Sequence, residues 1–155
     1  MEAKHSKLIE WSHLRVVNLN LVRGSTVAEV VNYLETIPTT KGSAVLKEKL
    51  ADLYAAQGKP SSAVLTYEQA LKLDPSPQQR IRLRLTLAEK LLALNRDADA
   101  YASYQKFIEE SPDYVDKLAI YRKLVSLGQK LGKPDDAAKY EEQIKLLTTP
   151  TAAKP

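Results

Sequence analysis

The sequence predicts an all-α fold that is built from repeated pairs of helices. Three observations predict it: sequence markers recur every 37 residues, apolar residues between the markers follow helical spacing, and the composition favours helix. The 155 residues include five glycines and no cysteine. Glycine-rich phosphate loops, disulfide frameworks and zinc sites with cysteine ligands are therefore excluded.

Two independent markers define the period. Residues 58–63 read Gly-Lys-Pro-Ser-Ser-Ala, residues 132–137 read Gly-Lys-Pro-Asp-Asp-Ala, and residues 95–100 stand midway between them. The second marker is a proline at the same interval, at Pro38, Pro75 and Pro112. Because both markers keep one period, we expect about four units of 37 residues.

Each unit is predicted to contain two helices that are joined by a tight turn. In the second unit the first helix carries apolar side chains every three or four residues, at Leu46, Leu50, Leu53 and Tyr54. Gly58, Asn95 and Gly132 occupy the turn, where a left-handed residue would end the first helix. Pro60 and Pro134 follow, in the first turn of the second helix, where proline is tolerated.

Start signals precede the first helix of three units. Ser43 follows Gly42, residues 76–79 read Ser-Pro-Gln-Gln in the form of a capping box, and residues 111–113 read Ser-Pro-Asp. These signals predict helices that begin next to residues 43, 76 and 111.

The first unit, residues 7–40, is degenerate. Its second helix, residues 25–37, is amphipathic, but residues 15–22 are rich in β-branched residues and partly alternating, which favours a strand. We predict a helix there, because a strand at the edge would have no partner. Residues 148–155 are predicted to form a flexible tail.

The pattern resembles the tetratricopeptide repeat (TPR) family. Residues 44–77 match its motif best, with the matching residues Ala51, Tyr54, Gly58, Ala63, Tyr67, Ala70, Leu71 and Pro75. The resemblance implies a right-handed superhelical stack of antiparallel helix pairs, as one domain over residues 7–147 with units 7–40, 44–77, 81–114 and 118–151. The period departs from the usual 34 residues by three, which we place at 78–80 and 115–117.

The charge distribution favours an acidic protein partner over nucleic acid. The net charge is +4, and residues 118–155 hold seven basic and four acidic residues. These basic residues are scattered, without the arginine cluster or interleaved aromatic residues of a nucleic-acid groove. RNA binding by a helical-repeat protein stays open as an alternative.

Candidates for catalysis are few. Adjacent acids on a helix point about 100° apart and cannot share a substrate proton. His5 and His13 are too far apart for a helical zinc pair. We therefore expect no enzyme, no metal and no cofactor. No targeting or membrane-spanning segment is recognised, so a cytoplasmic location is expected.

The resemblance implies a concave groove that is lined by the first helices. The positions that carry over are Leu8, Trp11, Arg15, Leu19, Glu48, Asp52, Ala55, Ala56, Arg82, Leu85, Glu89, Leu92, Arg122, Ser126, Gln129 and Lys130. Glu48 and Asp52 occupy sites where carboxylate-binding relatives have basic or amide residues, so that mode of binding is not expected. For Trp11, buried packing is the first interpretation, and an exposed anchor beside Leu8 and Leu19 is the alternative.

These expectations describe a non-catalytic adaptor that binds a protein. Size, repeat class and basic charge resemble bacterial kinesin-light-chain-like TPR proteins, which implies an acidic, tubulin-type filament as partner and a cytoskeletal association. An assembly module from a larger protein is a further alternative. The last helix ends with Ile144, Leu146 and Leu147 and lacks a polar capping helix, which predicts self-association.

Overall fold

The computed structural model describes residues 2–150, and its regular structure over that range is entirely helical. The eight α-helices of this range are α1 (Glu2–Val22), α2 (Val27–Thr36), α3 (Ala44–Ala56), α4 (Pro60–Leu71), α5 (Pro77–Ala93), α6 (Asp97–Glu110), α7 (Lys117–Lys130) and α8 (Pro134–Thr148). A 3₁₀ helix, Pro38–Gly42, joins α2 to α3. The predicted all-α fold is confirmed, with the helices in the order and spacing of four pairs.

The chain divides into two compact units, Met1–Lys90 and Leu91–Pro155, and the division falls within α5. In the first unit, α1, α2 and α3 meet around an apolar core formed by Val17, Val30, Val31, Leu34, Leu46, Leu50 and Leu53. In the second unit, α6, α7 and α8 bury Tyr101, Tyr104, Phe107, Ile120, Leu124 and Ala137. The prediction of one domain over residues 7–147 stays a prediction.

The turns within the pairs have the predicted conformation. Gly58, Asn95 and Gly132 have φ values of +71°, +57° and +70°. Pro60 and Pro134 are the first residues of α4 and α8. Asparagine and glycine tolerate this left-handed conformation at the end of a helix, whereas most side chains are strained there.

Two of the three predicted start signals are confirmed. The backbone N–H of Leu46 donates to Ser43 Oγ at 3.1 Å, and that of Gln79 donates to Ser76 Oγ at 3.2 Å. The third prediction is wrong, since α7 begins at Lys117 and not beside Pro112. Residues 112–116 instead form a turn that places Tyr114 edge-on against Phe107, with 4.9 Å between ring centroids.

The degenerate first unit is helical, as predicted. Residues 15–22 continue α1, because Val17 is fully buried against α2 and α3 and this packing outweighs the strand preference of the segment. Thr26 and Glu29 form a capping box at the start of α2. Residue 148 of the predicted tail belongs to α8, and residues 151–155 lie outside the described residues.

Candidate partner-binding site

One side of α1 exposes a row of large apolar side chains. Leu8, Trp11, Leu19 and Val22 expose 63%, 67%, 45% and 85% of their surface. At 100° per residue they fall, together with Arg15, within about 80° of one helix face, nearly opposite the buried Val17. These five residues, Leu8, Trp11, Arg15, Leu19 and Val22, are named the α1 face.

The exposure of Trp11 corrects the first interpretation from the sequence. Buried packing is wrong for this side chain, and the alternative, an exposed aromatic beside Leu8 and Leu19, is what the structure shows. A shallow groove of about 380 Å³ follows the α1 face and is lined by Trp11, Leu14, Arg15, Asn18, Leu19 and Val22. Arg15 is the charged member of this lining.

The surroundings of the α1 face are basic. Over residues 4–23, four basic side chains, Lys4, Lys7, Arg15 and Arg23, stand against the single carboxylate of Glu10. All four basic side chains are exposed. Exposed like charges on one helix raise the local positive potential, which attracts acidic groups.

Two candidates from neighbouring first helices bind each other. Arg82 Nε donates to both carboxylate oxygens of Glu48, at 3.0 and 3.1 Å, and Arg82 Nη2 donates to Glu48 Oε1 at 2.7 Å. These hydrogen bonds raise the pKa of Arg82. The Glu48 side chain is only 15% exposed, so this carboxylate is held by α5 and is not presented to a ligand.

Asp52 also has a partner within the chain. Its carboxylate accepts a hydrogen bond from the hydroxyl of Tyr67 in α4, a side chain that is 1% exposed. Burial raises the pKa of Tyr67, and the hydrogen bond to Asp52 raises it further. A neutral tyrosine that donates to a carboxylate fixes α4 against α3, which is a structural role.

The remaining charged candidates are exposed. In the second unit, Lys130 forms an ion pair with Asp97 at the start of α6, and Arg122 lies on the surface of α7. In the first unit, Glu89 lies on the surface of α5. The structure therefore places the α1 candidates together on one helix face. Separately, it brings Glu48 into contact with Arg82.

In the described part of the chain, no group of three or more His, Asp or Glu side chains is close enough to bind a metal ion. His13 Nδ1 lies 2.7 Å from the hydroxyl of Tyr33, so this histidine contributes to the packing of α1 on α2. Within residues 2–150, no helix combines the length and apolar character that a membrane span requires.

Comparison with known proteins identifies the fold. No protein-family model and no curated protein matches the sequence. Among solved structures, the MamA protein is similar over 99% of this chain and 82% of its own, at 16% identity and a TM-score of 0.64. Pseudomonas aeruginosa PilF matches 95% of this chain and 64% of its own, at 20% identity and a TM-score of 0.60.

A third similar structure contains the nearly identical TPR-like repeats of a Podosopora anserina kinesin light chain protein. It covers 96% of this chain and 78% of its own, at 20% identity and a TM-score of 0.61. A tetratricopeptide repeat protein from Parabacteroides merdae gives a TM-score of 0.65 at 16% identity, over 91% of this chain and 54% of its own. Identities this low establish the fold alone, and the chain has the tetratricopeptide-repeat fold.

Proposed function

We propose that this protein is a non-catalytic scaffold that binds a protein partner through the α1 face. The observation that carries the proposal is the exposure of Trp11 within a row of apolar side chains. Exposing a tryptophan and three aliphatic side chains on one helix forgoes the free energy of their burial, about 1.5–3 kcal/mol for a large apolar side chain. Contiguous exposed apolar patches of this kind mark interaction sites.

The charged groove candidates form contacts within the chain, and this favours the α1 face as the binding surface. Glu48 is bound by Arg82, and Asp52 is bound by Tyr67. A partner that used these carboxylates would have to replace well-formed internal hydrogen bonds, including a charge-assisted bidentate pair. The α1 face requires no such exchange, because its apolar side chains are already in contact with solvent.

The surface chemistry defines the partner. Apolar side chains at helical spacing fit the apolar side of an amphipathic helix, a common way in which proteins recognise helical segments. Lys4, Lys7, Arg15 and Arg23 favour acidic residues beside that apolar side. An acidic filament is one partner with this chemistry. A single-stranded RNA would need a continuous basic track, whereas this groove is mainly apolar.

Affinity capture with matched variants tests the proposal. The wild-type chain, Trp11→Ala and Val115→Ala are immobilised and exposed to an extract of the native cells. Val115 is a suitable control because it is 99% exposed and lies in a turn of the other unit. We expect a set of proteins that the wild type and Val115→Ala retain and Trp11→Ala loses, with at least about a tenfold drop in affinity, since tryptophan dominates many interfaces.

Circular dichroism provides the folding control. Since two-thirds of the Trp11 surface is exposed, we expect Trp11→Ala to keep the helix content and the unfolding midpoint of the wild type. If Trp11→Ala folds normally and retains every captured protein, the binding surface is not the α1 face. Loss of the same proteins from Val115→Ala would show that the capture is non-specific.

A further inference from the structure

Among the described residues, α1 and α8 bury fewer side chains than the other α-helices. In the described structure, the second helix of a pair packs on the first helix of the next pair, α2 on α3 and α6 on α7. The second helices α4 and α6 bury five residues each, such as Tyr67 in α4 and Phe107 in α6, and α2 buries three. In α8 only Ala137 is buried, and in the described part of α1 only Val17.

Helix α8 carries four acidic and two basic residues and exposes leucine near its end. Its exposed side holds Lys139 as well as carboxylates. Asp135, Glu142 and Leu146 fall within about 40° of one another, on the side opposite Ala137. Leu146 is 68% exposed and the adjacent Leu147 is 42% exposed. The surface of α8 therefore offers carboxylates and apolar side chains, whereas the α1 face offers apolar side chains and basic residues.

We propose that α8 of one copy of this chain docks on the α1 face of a second copy. This inference rests on the proposed function and names the partner of that same surface. The docking continues the repeat, because a second helix then meets the first helix of a following pair. The lengths also agree: residues 8–22 of α1 and residues 134–148 of α8 each span about 21 Å.

An antiparallel register places Trp11 and Arg15 opposite complementary side chains of α8. When Trp11 faces Leu146, four residues further along each helix Arg15 faces Glu142. Seven residues beyond that pair, Asp135 reaches the end of α1. An aromatic side chain thus covers an exposed leucine, and the charged member of the groove lining meets a carboxylate.

At the end of this register Asp135 faces Val22, and the neighbouring basic residue is Arg23. Arg23 follows the last residue of α1 and lies beside Asp135 of the other copy. All the charged partners of the register are exposed in the single chain. Their attraction is therefore screened by salt, and the association weakens as ionic strength rises.

The docked surfaces are different, so the contact is heterologous. After a first contact, one copy keeps an unused α1 face and the other copy keeps an unused α8, so a chain or a ring of copies follows. The expected signature is a mean mass that increases with protein concentration and decreases with salt.

Sedimentation of two single variants and their mixture tests the proposal. Trp11→Ala removes the anchor of the α1 face and leaves α8 intact, whereas Leu146→Glu alters α8 and leaves the α1 face intact. We expect each variant alone to be monomeric, with affinity reduced at least about tenfold. Their mixture restores one intact contact, so it forms a 1:1 dimer that does not grow.

Exchange of charges tests the register. Arg15→Glu and Glu142→Arg each weaken association, and the double variant that carries both restores it, because the two charges are exchanged across the contact. Lys72→Glu is the matched control, since Lys72 is exposed in the turn after α4, and we expect it to associate as the wild type does. If the double variant associates no more strongly than Arg15→Glu alone, the proposed register is wrong.

Two other results overturn the docking itself. One is a wild type that stays monomeric at its highest soluble concentration in low salt. The other is association that Trp11→Ala abolishes and Leu146→Glu leaves unchanged, which excludes α8 as the occupant. Neither result refutes the proposed function, because the capture by the α1 face is scored on other proteins. Circular dichroism of each variant excludes unfolding as the cause.

Discussion

Two glycine substitutions are expected to change stability in opposite directions. Gly58 ends α3 with a φ of +71°, and an added Cβ would meet nothing within 4 Å. Gly42 ends the 3₁₀ helix without a positive φ, and its Cβ would also enter open space. Both glycines are exposed and belong to the same unit. Backbone conformation is therefore the main difference between the two sites.

The magnitudes follow from that difference. Alanine at Gly58 must adopt a left-handed conformation, which costs about 1–2 kcal/mol. Replacing glycine by alanine also restricts the unfolded chain, which stabilises the folded state by about 0.4–1 kcal/mol. For Gly58→Ala we expect a net loss of about 1 kcal/mol in the free energy of unfolding. For Gly42→Ala only the favourable contribution remains, so we expect a gain of about 0.5 kcal/mol.

Urea unfolding followed by circular dichroism measures both variants against the wild type. With a slope of about 2 kcal/mol per molar urea, the midpoint of Gly58→Ala falls by about 0.5 M and that of Gly42→Ala rises by about 0.25 M. Gly58→Asn provides a further control, because asparagine stands at the equivalent position Asn95 with a φ of +57°, and it should lose less stability than alanine. Shifts of equal sign for Gly58→Ala and Gly42→Ala would refute the reasoning.

Two further predictions concern capping and alkaline pH. Ser43→Ala removes the acceptor of the Leu46 N–H at the start of α3, and urea unfolding should show a loss of about 1 kcal/mol, whereas an unchanged midpoint would contradict the cap. Burial raises the pKa of Tyr101 to about 12, and burial followed by the hydrogen bond to Glu35 raises that of Tyr54 to about 12. Because tyrosines in the unfolded chain lose their protons near pH 10, this contribution to the free energy of unfolding is present below pH 10 and declines between pH 10 and 12. Urea midpoints measured from about pH 9 to pH 12 check it, and a midpoint that rises over this range would contradict it.

The fold is predictable from the sequence because its signals are local. Gly58, Asn95 and Gly132 specify the turns through the backbone conformation that each residue tolerates, and Ser43 satisfies a helix end three residues away. Such signals need no knowledge of the tertiary contacts. The same local reasoning could have found the capping box of α2, since Thr26 is followed by Glu29.

The start of α7 was not predictable in this way. Ser111 and Pro112 have the local form of a helix start, but the contact of Tyr114 with Phe107 holds residues 112–116 in a turn. That contact joins a loop to the preceding helix, and such tertiary contacts cannot be identified from the local sequence. The interpretation that Trp11 is buried is wrong for a related reason, because this position of the repeat is buried only where another helix covers it.

The charged candidates show why the site was harder to predict than the fold. Glu48 and Arg82 stand 34 residues apart, close to one repeat, and they bind each other. A repeat period places residues of successive first helices side by side, so opposite charges at that separation can bind within the chain instead of binding a partner. Position in the repeat identifies which side chains line a surface. The ion pairs that these side chains form within the chain decide which of them can still bind a partner. None of the ion pairs between described residues includes Arg15, and this makes the α1 face the surface on which to test binding first.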